Sequence, residues 1–262
     1  RVFPALATAL ILVGILVLGM YFRMVGRNWD EDQHLHPDER FLTMVTTGVQ
    51  PVKSIGEYFD TANSPLNPYN KGFGSFVYGT LPLFIVRYTA EWGNNQPWLQ
   101  SLVGVKNSLV GYGEVTLLGR FLSSLFDLAA LVLLFLIGRR LFDTRVGLLA
   151  AALGAFSVLN IQQSHFYTAD TFANFFAILL FYFCVRTLQE GRWWDYLGVG
   201  ISLGAAVGSR PGLGVAADRI AGGNRIQPVP LRGRDRRRPD GAGPGPDVPG
   251  NARRQCGDAV PV

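Results

Sequence analysis

Apolar residues in this chain gather in long unbroken blocks rather than alternating with polar ones. The first block, residues 2–22, carries no charge and one proline near its start. That is close to the ~20 residues a helix needs to cross the hydrocarbon core of a bilayer. Further blocks run over 117–138, 146–162, 171–188 and 195–209. Continuous apolar runs of this kind predict membrane-spanning helices. The chain therefore reads as an all-α, polytopic transmembrane helical bundle. A cleaved signal peptide is not the reading for the first block, because residues 20–24 (MYFRM) offer no small-residue cleavage site. Between the first and second blocks lies a polar stretch, residues 23–116, far longer than an ordinary helix connection.

Arginines orient the bundle. Arg139, Arg140 and Arg145 fall between the second and third blocks, while Arg186 lies at the end of the fourth and Arg192 between it and the fifth. The connection over 162–170 has neither Lys nor Arg. Short Arg-rich loops stay cytoplasmic, which places the arginine turns inside and the long 23–116 loop outside. Residues 80–92 (TLPLFIVRYTAEW) are apolar but short, and they carry Arg87 and Glu91. A crossing there would invert every later loop. An interfacial helix is the reading that keeps the arginines inside, with Trp92 and Trp98 at headgroup level; a full span is the alternative.

Charge changes the picture only at the end of the chain. The formal net charge is +5, yet acidic and basic residues are equal in number up to Ser209, so the excess belongs to the stretch after it. It therefore does not imply a nucleic-acid partner for the membrane body. From Pro211 to Val262 there is no aromatic residue and no Lys, Glu, Ser or Thr, while Arg, Gly and Pro abound. A natural linker is expected to contain such residues. The expectation is a disordered, functionless tail over 210–262, read out of frame, on an N-terminal fragment that is inactive by itself; a genuine basic tail that binds anionic lipid headgroups is the alternative. The chain also opens on Arg1 rather than Met. Cys184 lies within a span and Cys256 in the tail, so no disulfide is expected.

The densest chemistry is in residues 34–42 (HLHPDERFL), just past the first block. Ionisable groups this near a membrane boundary are costly to keep. Pro37 suits the first position of a helix, because its missing N–H would be unsatisfied there. Asp38 and Glu39 then occupy the first turn, where the helix dipole favours carboxylates. Phe41, Leu42 and Val45 follow at helical spacing and predict a face laid on the membrane. Capping with surface charge is the bland alternative. His34 and His36 with Asp38 offer a ligand set for a divalent ion such as zinc or manganese. Asp30, Glu31 and Asp32 read as a solvated turn. Residues 63–79, ending in Tyr78 and Gly79, mix turn residues with aromatics and suit either a sugar or an ordinary ordered loop. Arg120 lies near the outer end of the second span, with Asp127 two turns deeper. His165 and Asp170 sit between the third and fourth. Arg120 either snorkels or meets a phosphate; Asp170 either caps a helix or acts as a functional carboxylate.

In order and sidedness these motifs resemble the GT-C superfamily of membrane glycosyltransferases, in particular its protein mannosyltransferase and aminoarabinose-transferase branch. The matching features are Asp38-Glu39 at the start of the outer loop, Pro82-Leu83 in the interfacial segment and Arg120 at the second span. They continue with the turn over 138–142 (GRRLF) and Thr168 to Asp170 before the fourth span. Some relatives carry a Lys directly before a Pro-Pro-Leu element, where this chain reads YGTLPL over 78–83. The resemblance implies transfer of a sugar from a polyprenyl-phosphate donor to an acceptor hydroxyl, at the outer face of a multi-pass protein of the cell membrane. On that reading Asp38 is the general base and Glu39 supports it. Arg120 binds the lipid phosphate, His165 and Asp170 orient the sugar or a metal, and Tyr78 helps bind substrate. The competing reading is a non-enzymatic carrier of lipid-linked sugars.

Overall fold

The computed structural model describes residues 5–106 and 108–214, all within one unit, Arg1–Gly223. The tail from residue 215 onward lies outside the described residues. Among the described residues there are ten α-helices and no strand. In chain order they are α1 (Ala5–Met24), α2 (Pro37–Gly48), α3 (Ile55–Phe59), α4 (Thr80–Gly93), α5 (Pro97–Val103), α6 (Tyr112–Leu141), α7 (Thr144–Ala155), α8 (Val158–Ser164), α9 (Ala169–Glu190) and α10 (Trp193–Ser209). A 3-10 turn at Pro68–Lys71 separates α3 from α4. The polytopic all-α fold read from the sequence is borne out.

Helices α1, α6 and α9 are long and apolar enough to cross a membrane, and α7 with α8 makes a fourth if the bent pair is one span. The two members meet at 58°, so the third apolar block is broken rather than straight. The fifth block forms α10, with 17 residues, the lower end of the ~17–25 that suffice. Leu6, Leu10, Val13 and Val17 of α1 are exposed, as lipid-facing side chains are. Helices α6 and α7 approach through small residues. A Cβ on Gly138 would lie 2.8 Å from the Gly147 Cα, and one on Gly147 would lie 2.6 Å from the Phe135 carbonyl oxygen. Without a hydrophobic drive between helices in lipid, such close backbone approach is what holds them together.

The connections sort to two ends of the bundle. At one end Arg140 pairs with Glu190 at 2.6 Å and Arg186 with Asp195 at 2.7 Å, joining the last turns of α6 and α9 to the start of α10. At the other end the long loop folds onto the first turns of α6 and α9. Its core is built from Leu42, Val45, Leu83, Val86, Leu99, Leu109, Val115 and Leu118, all nearly inaccessible. This corrects one expectation. Leu42 and Val45 of α2 face this core rather than the membrane surface, because α4 and α6 supply an apolar partner that the isolated helix lacks. Helix α4 likewise buries Leu83, Val86 and Ala90 while Trp92 stays exposed.

Inside the spans one ion pair stands out. Arg23, the last basic residue of α1, is fully buried and donates from Nε to Asp127 Oδ2 at 2.6 Å. Its other donors reach the Gly19 and Ala155 carbonyls at 3.0 Å and that of Gly154 at 3.2 Å. One side chain thus ties α1, α6 and α7.

Candidate active site

The chain enters α2 through the cap expected of Pro37 at the first helical position. His36 Nδ1 accepts the Glu39 N–H at 3.3 Å. Successive helix residues point about 100° apart, and here that separates two carboxylates. Glu39 turns inward and is fully buried, whereas Asp38 is exposed.

Glu39 is half of a clasp around Arg120. Its Oε1 and Oε2 each accept from Arg120 at 2.7 Å, and Oε1 also accepts the Tyr167 N–H at 2.7 Å. Asp30 forms the other half, with contacts of 2.9 and 2.8 Å to Nη1 and Nη2, and the Arg27 carbonyl takes the remaining Nη1 proton at 2.7 Å. A guanidinium has five N–H donors, and all five of Arg120 are spent. Asp30 therefore does not sit in a solvated turn as expected; only its neighbours Glu31 and Asp32 are exposed. Glu31, Asp32 and His34 take positive φ values of 47°, 64° and 50°. Non-glycine residues seldom adopt that region unless the surroundings impose it. Burial would raise the Asp30 carboxyl, but the hydrogen bonds and charge of Arg120 hold it below the usual carboxylate range.

Tyr167 closes the clasp from the side of α9. Its hydroxyl pairs with Thr46 Oγ1 at 2.9 Å, and complete burial pushes its phenol well up. Its ring lies where a side chain on α6 would be: a Cβ on Gly119 would come within 2.3 Å of it.

Outside the clasp lies a second cluster. The Tyr78 phenol, raised by burial first and then by the Asp38 carboxylate it faces, is drawn partly back by Arg210. Arg210 in turn pairs with Asp170 in the first turn of α9. The neighbouring backbone is joined as well. The Gly79 N–H donates to the Ser209 carbonyl at 3.1 Å, and a Cβ on Gly79 would overlap the Gly208 oxygen at 2.0 Å. So Asp38 from α2, Tyr78 from the loop before α4, Asp170 from α9 and Arg210 after α10 come together. Asp170 also opens into a cavity of about 250 Å³ lined by Asp127, Asn160, Gln163, Thr171 and Asn174. The bend between α7 and α8 places Asn160 and Gln163 on this wall.

The histidines serve the backbone. His165 Nδ1 faces the Ile161 carbonyl at 2.7 Å and Nε2 that of Val25 at 2.8 Å, so neither ring nitrogen is left to orient a sugar or a metal. His36 is the α2 cap, and its ring lies on Phe166, centroids 4.4 Å apart. His34 lies against Tyr112 with Nδ1 3.4 Å from Thr116 Oγ1. Among the described residues no group of three or more His, Cys, Asp or Glu side chains could hold a metal ion. The expected His34, His36 and Asp38 ligand set does not assemble, because capping and ring packing claim both imidazoles.

Residues 96–217 match the family model of the dolichyl-phosphate-mannose-protein mannosyltransferases. The resemblance to the GT-C membrane glycosyltransferases holds. Membrane glycosyltransferase activity is what that family implies. The matched stretch takes in Arg120, Asp127, Asp170 and Arg210; Asp38 and Tyr78 lie before it. No curated protein and no solved structure matches the chain.

Arg23 and Arg210 organise the fold without having been singled out in the linear chain, and Asp30, expected in a solvated turn, is buried against Arg120. Arg23 carried a signal, as the basic residue closing a span that faces a buried acid elsewhere. Arg210 carried none, being the first residue of the stretch expected to be a disordered tail; its pairing with Asp170 removes it from that expectation.

Proposed function

We propose that the intact protein transfers a sugar from a polyprenyl-phosphate donor to an acceptor hydroxyl at the outer face of the cell membrane, with Asp38 as general base. One observation carries this reading. Of the carboxylates Asp30, Asp38 and Glu39, Arg120 binds two and leaves Asp38 at the surface. In the step, Asp38 takes the proton of the acceptor hydroxyl as its oxygen bonds to the anomeric carbon. The bond from that carbon to the phosphate oxygen breaks, and the lipid phosphate leaves with the electron pair. Tyr78 holds Asp38 in place, its phenol facing the carboxylate. Arg210 replaces Arg120 as the cation nearest the leaving phosphate, because Arg120 has no donor to give. Glu39 acts by fixing α2, and Asp127 and Asp170 with the amides of the cavity present acceptors and donors to sugar hydroxyls.

Two measurements test this. Intact protein in proteoliposomes with a radiolabelled polyprenyl-phosphate sugar is expected to yield a labelled acceptor and free lipid phosphate. Movement of the labelled lipid across the bilayer without transfer would overturn the enzymatic reading in favour of a carrier. The sidedness is checked by cysteines placed at Ser75 and Thr144 in a background without native cysteines. They are expected to react with an impermeant thiol reagent from opposite sides, and reaction from one side would overturn the orientation.

A further inference from the structure

On the face of α6 opposite Arg120 and Asp127, the chain forms an apolar groove of about 570 Å³. Its walls come from α1 (Met20, Met24), α4 (Trp92), α5 (Trp98, Leu102) and α6 (Leu125). Trp92 and Trp98 pack edge to face, with centroids 6.0 Å apart, and both remain half exposed. Tryptophans so placed, beside the outer ends of two spans, mark the level of lipid headgroups.

Two polar side chains line this groove, Thr89, whose hydroxyl is spent on the Ile85 carbonyl at 2.6 Å, and Arg27. Arg27 Nη2 donates to the carbonyls of Leu102 and Val103 at 3.1 and 3.3 Å, which pins the guanidinium over the Phe121 ring, 5.3 Å from its centroid. Nη1 is buried and has no hydrogen-bond partner. A buried guanidinium N–H left unpaired is costly, so this atom is held ready for an acceptor that the protein does not provide. Burial alone moves the Arg27 guanidinium below its ordinary value, with no carboxylate to oppose it. Arg120, 93 residues away in sequence, takes only the Arg27 carbonyl.

We propose that this groove is a phospholipid site: acyl chains lie between α1, α4, α5 and α6, and the phosphate diester accepts from Arg27 Nη1. The ligand class follows from charge and shape together. A lone cation whose Nη1 has no partner in the fold suits a phosphate, and the long apolar walls beside it suit acyl chains. The groove's position across α6 from Asp170 and Arg210 separates it from the proposed transfer site, so the occupant is a resident lipid rather than the sugar donor.

Native mass spectrometry of the full chain released from detergent tests this. Dioleoyl phosphatidylglycerol, dioleoylglycerol and a polyprenyl monophosphate are titrated against wild type, R27Q and R27K. The expected result is retention of the phospholipid about tenfold tighter than the diacylglycerol, loss of that margin in R27Q and its recovery in R27K. Equal retention of the two glycerolipids by wild type overturns the site, as does an R27Q variant that keeps the margin. Polyprenyl phosphate displacing the phospholipid one for one through the same Arg27 dependence would assign the groove to the carrier and overturn the resident-lipid reading. Folding is monitored by helical circular dichroism, and R27K keeps the test decisive if R27Q does not fold.

Discussion

Asp38→Asn in the intact protein is expected to abolish sugar transfer almost completely while leaving expression and detergent-extracted yield unchanged. Losing a catalytic base costs roughly 10²–10⁴-fold in rate. Asp38 is exposed and lies outside the Arg120 clasp, and the α2 cap is His36 rather than Asp38. Beyond its contact with the Tyr78 phenol, the fold draws on its charge only through the helix-dipole contribution of about 0.3–1 kcal/mol. Activity and stability should separate cleanly. The measurement is transfer from a labelled polyprenyl-phosphate sugar against thermal stability in the same detergent. Near-normal transfer by the Asn variant would remove Asp38 from the chemistry. Glu39→Gln provides the contrast, since its loss should appear first as instability.

Arg120→Ala should have the opposite signature, with misfolding before any kinetic effect. Removing the guanidinium leaves Asp30 and Glu39 buried and facing each other without compensation. Breaking a buried ion network from one side costs about 3–5 kcal/mol, a large share of the stability of any domain. The same network sets an acid limit. Because the Asp30 carboxyl is depressed in the folded state, its contribution is fully present above its unfolded value of 3.8 and is lost as pH falls through the folded one. Thermal melts of the wild type should therefore lose midpoint below about pH 4, and Asp30→Asn should flatten that loss. A wild-type melt unchanged through that range would show that the clasp is not what holds the loop.

What could be read in the linear chain was whatever depends on local periodicity and composition. The spans declared themselves because lipid demands unbroken apolar length, and the start of α2 declared itself because Pro37 fits one helix position well. Pairing across the fold was not legible. Nothing local distinguishes Asp30 from Asp32, yet one is buried against an arginine 90 residues away and the other is in water. Arg120 has the chemistry of a phosphate ligand, and only the arrival of two carboxylates decides that it is not free to be one. The histidines misled for a related reason: two imidazoles one residue apart look like ligands until a backbone N–H and an aromatic ring claim one, and a tyrosine the other.

The Arg23–Asp127 pair also bears on how the chain is assembled. When α1 enters the bilayer, α6 is about a hundred residues from being made, so Arg23 must stay extended toward the headgroups. Only when α6 arrives carrying Asp127, and α7 brings the Gly154 and Ala155 carbonyls, can the guanidinium withdraw into the bundle. Insertion and packing are thus separate events for α1, and the second is conditional on two later helices. The arginine acts as a register pin that locks at one depth. A bundle whose α6 sits one turn too high or too low leaves a charge unpaired in hydrocarbon, a cost that disfavours misassembled packings.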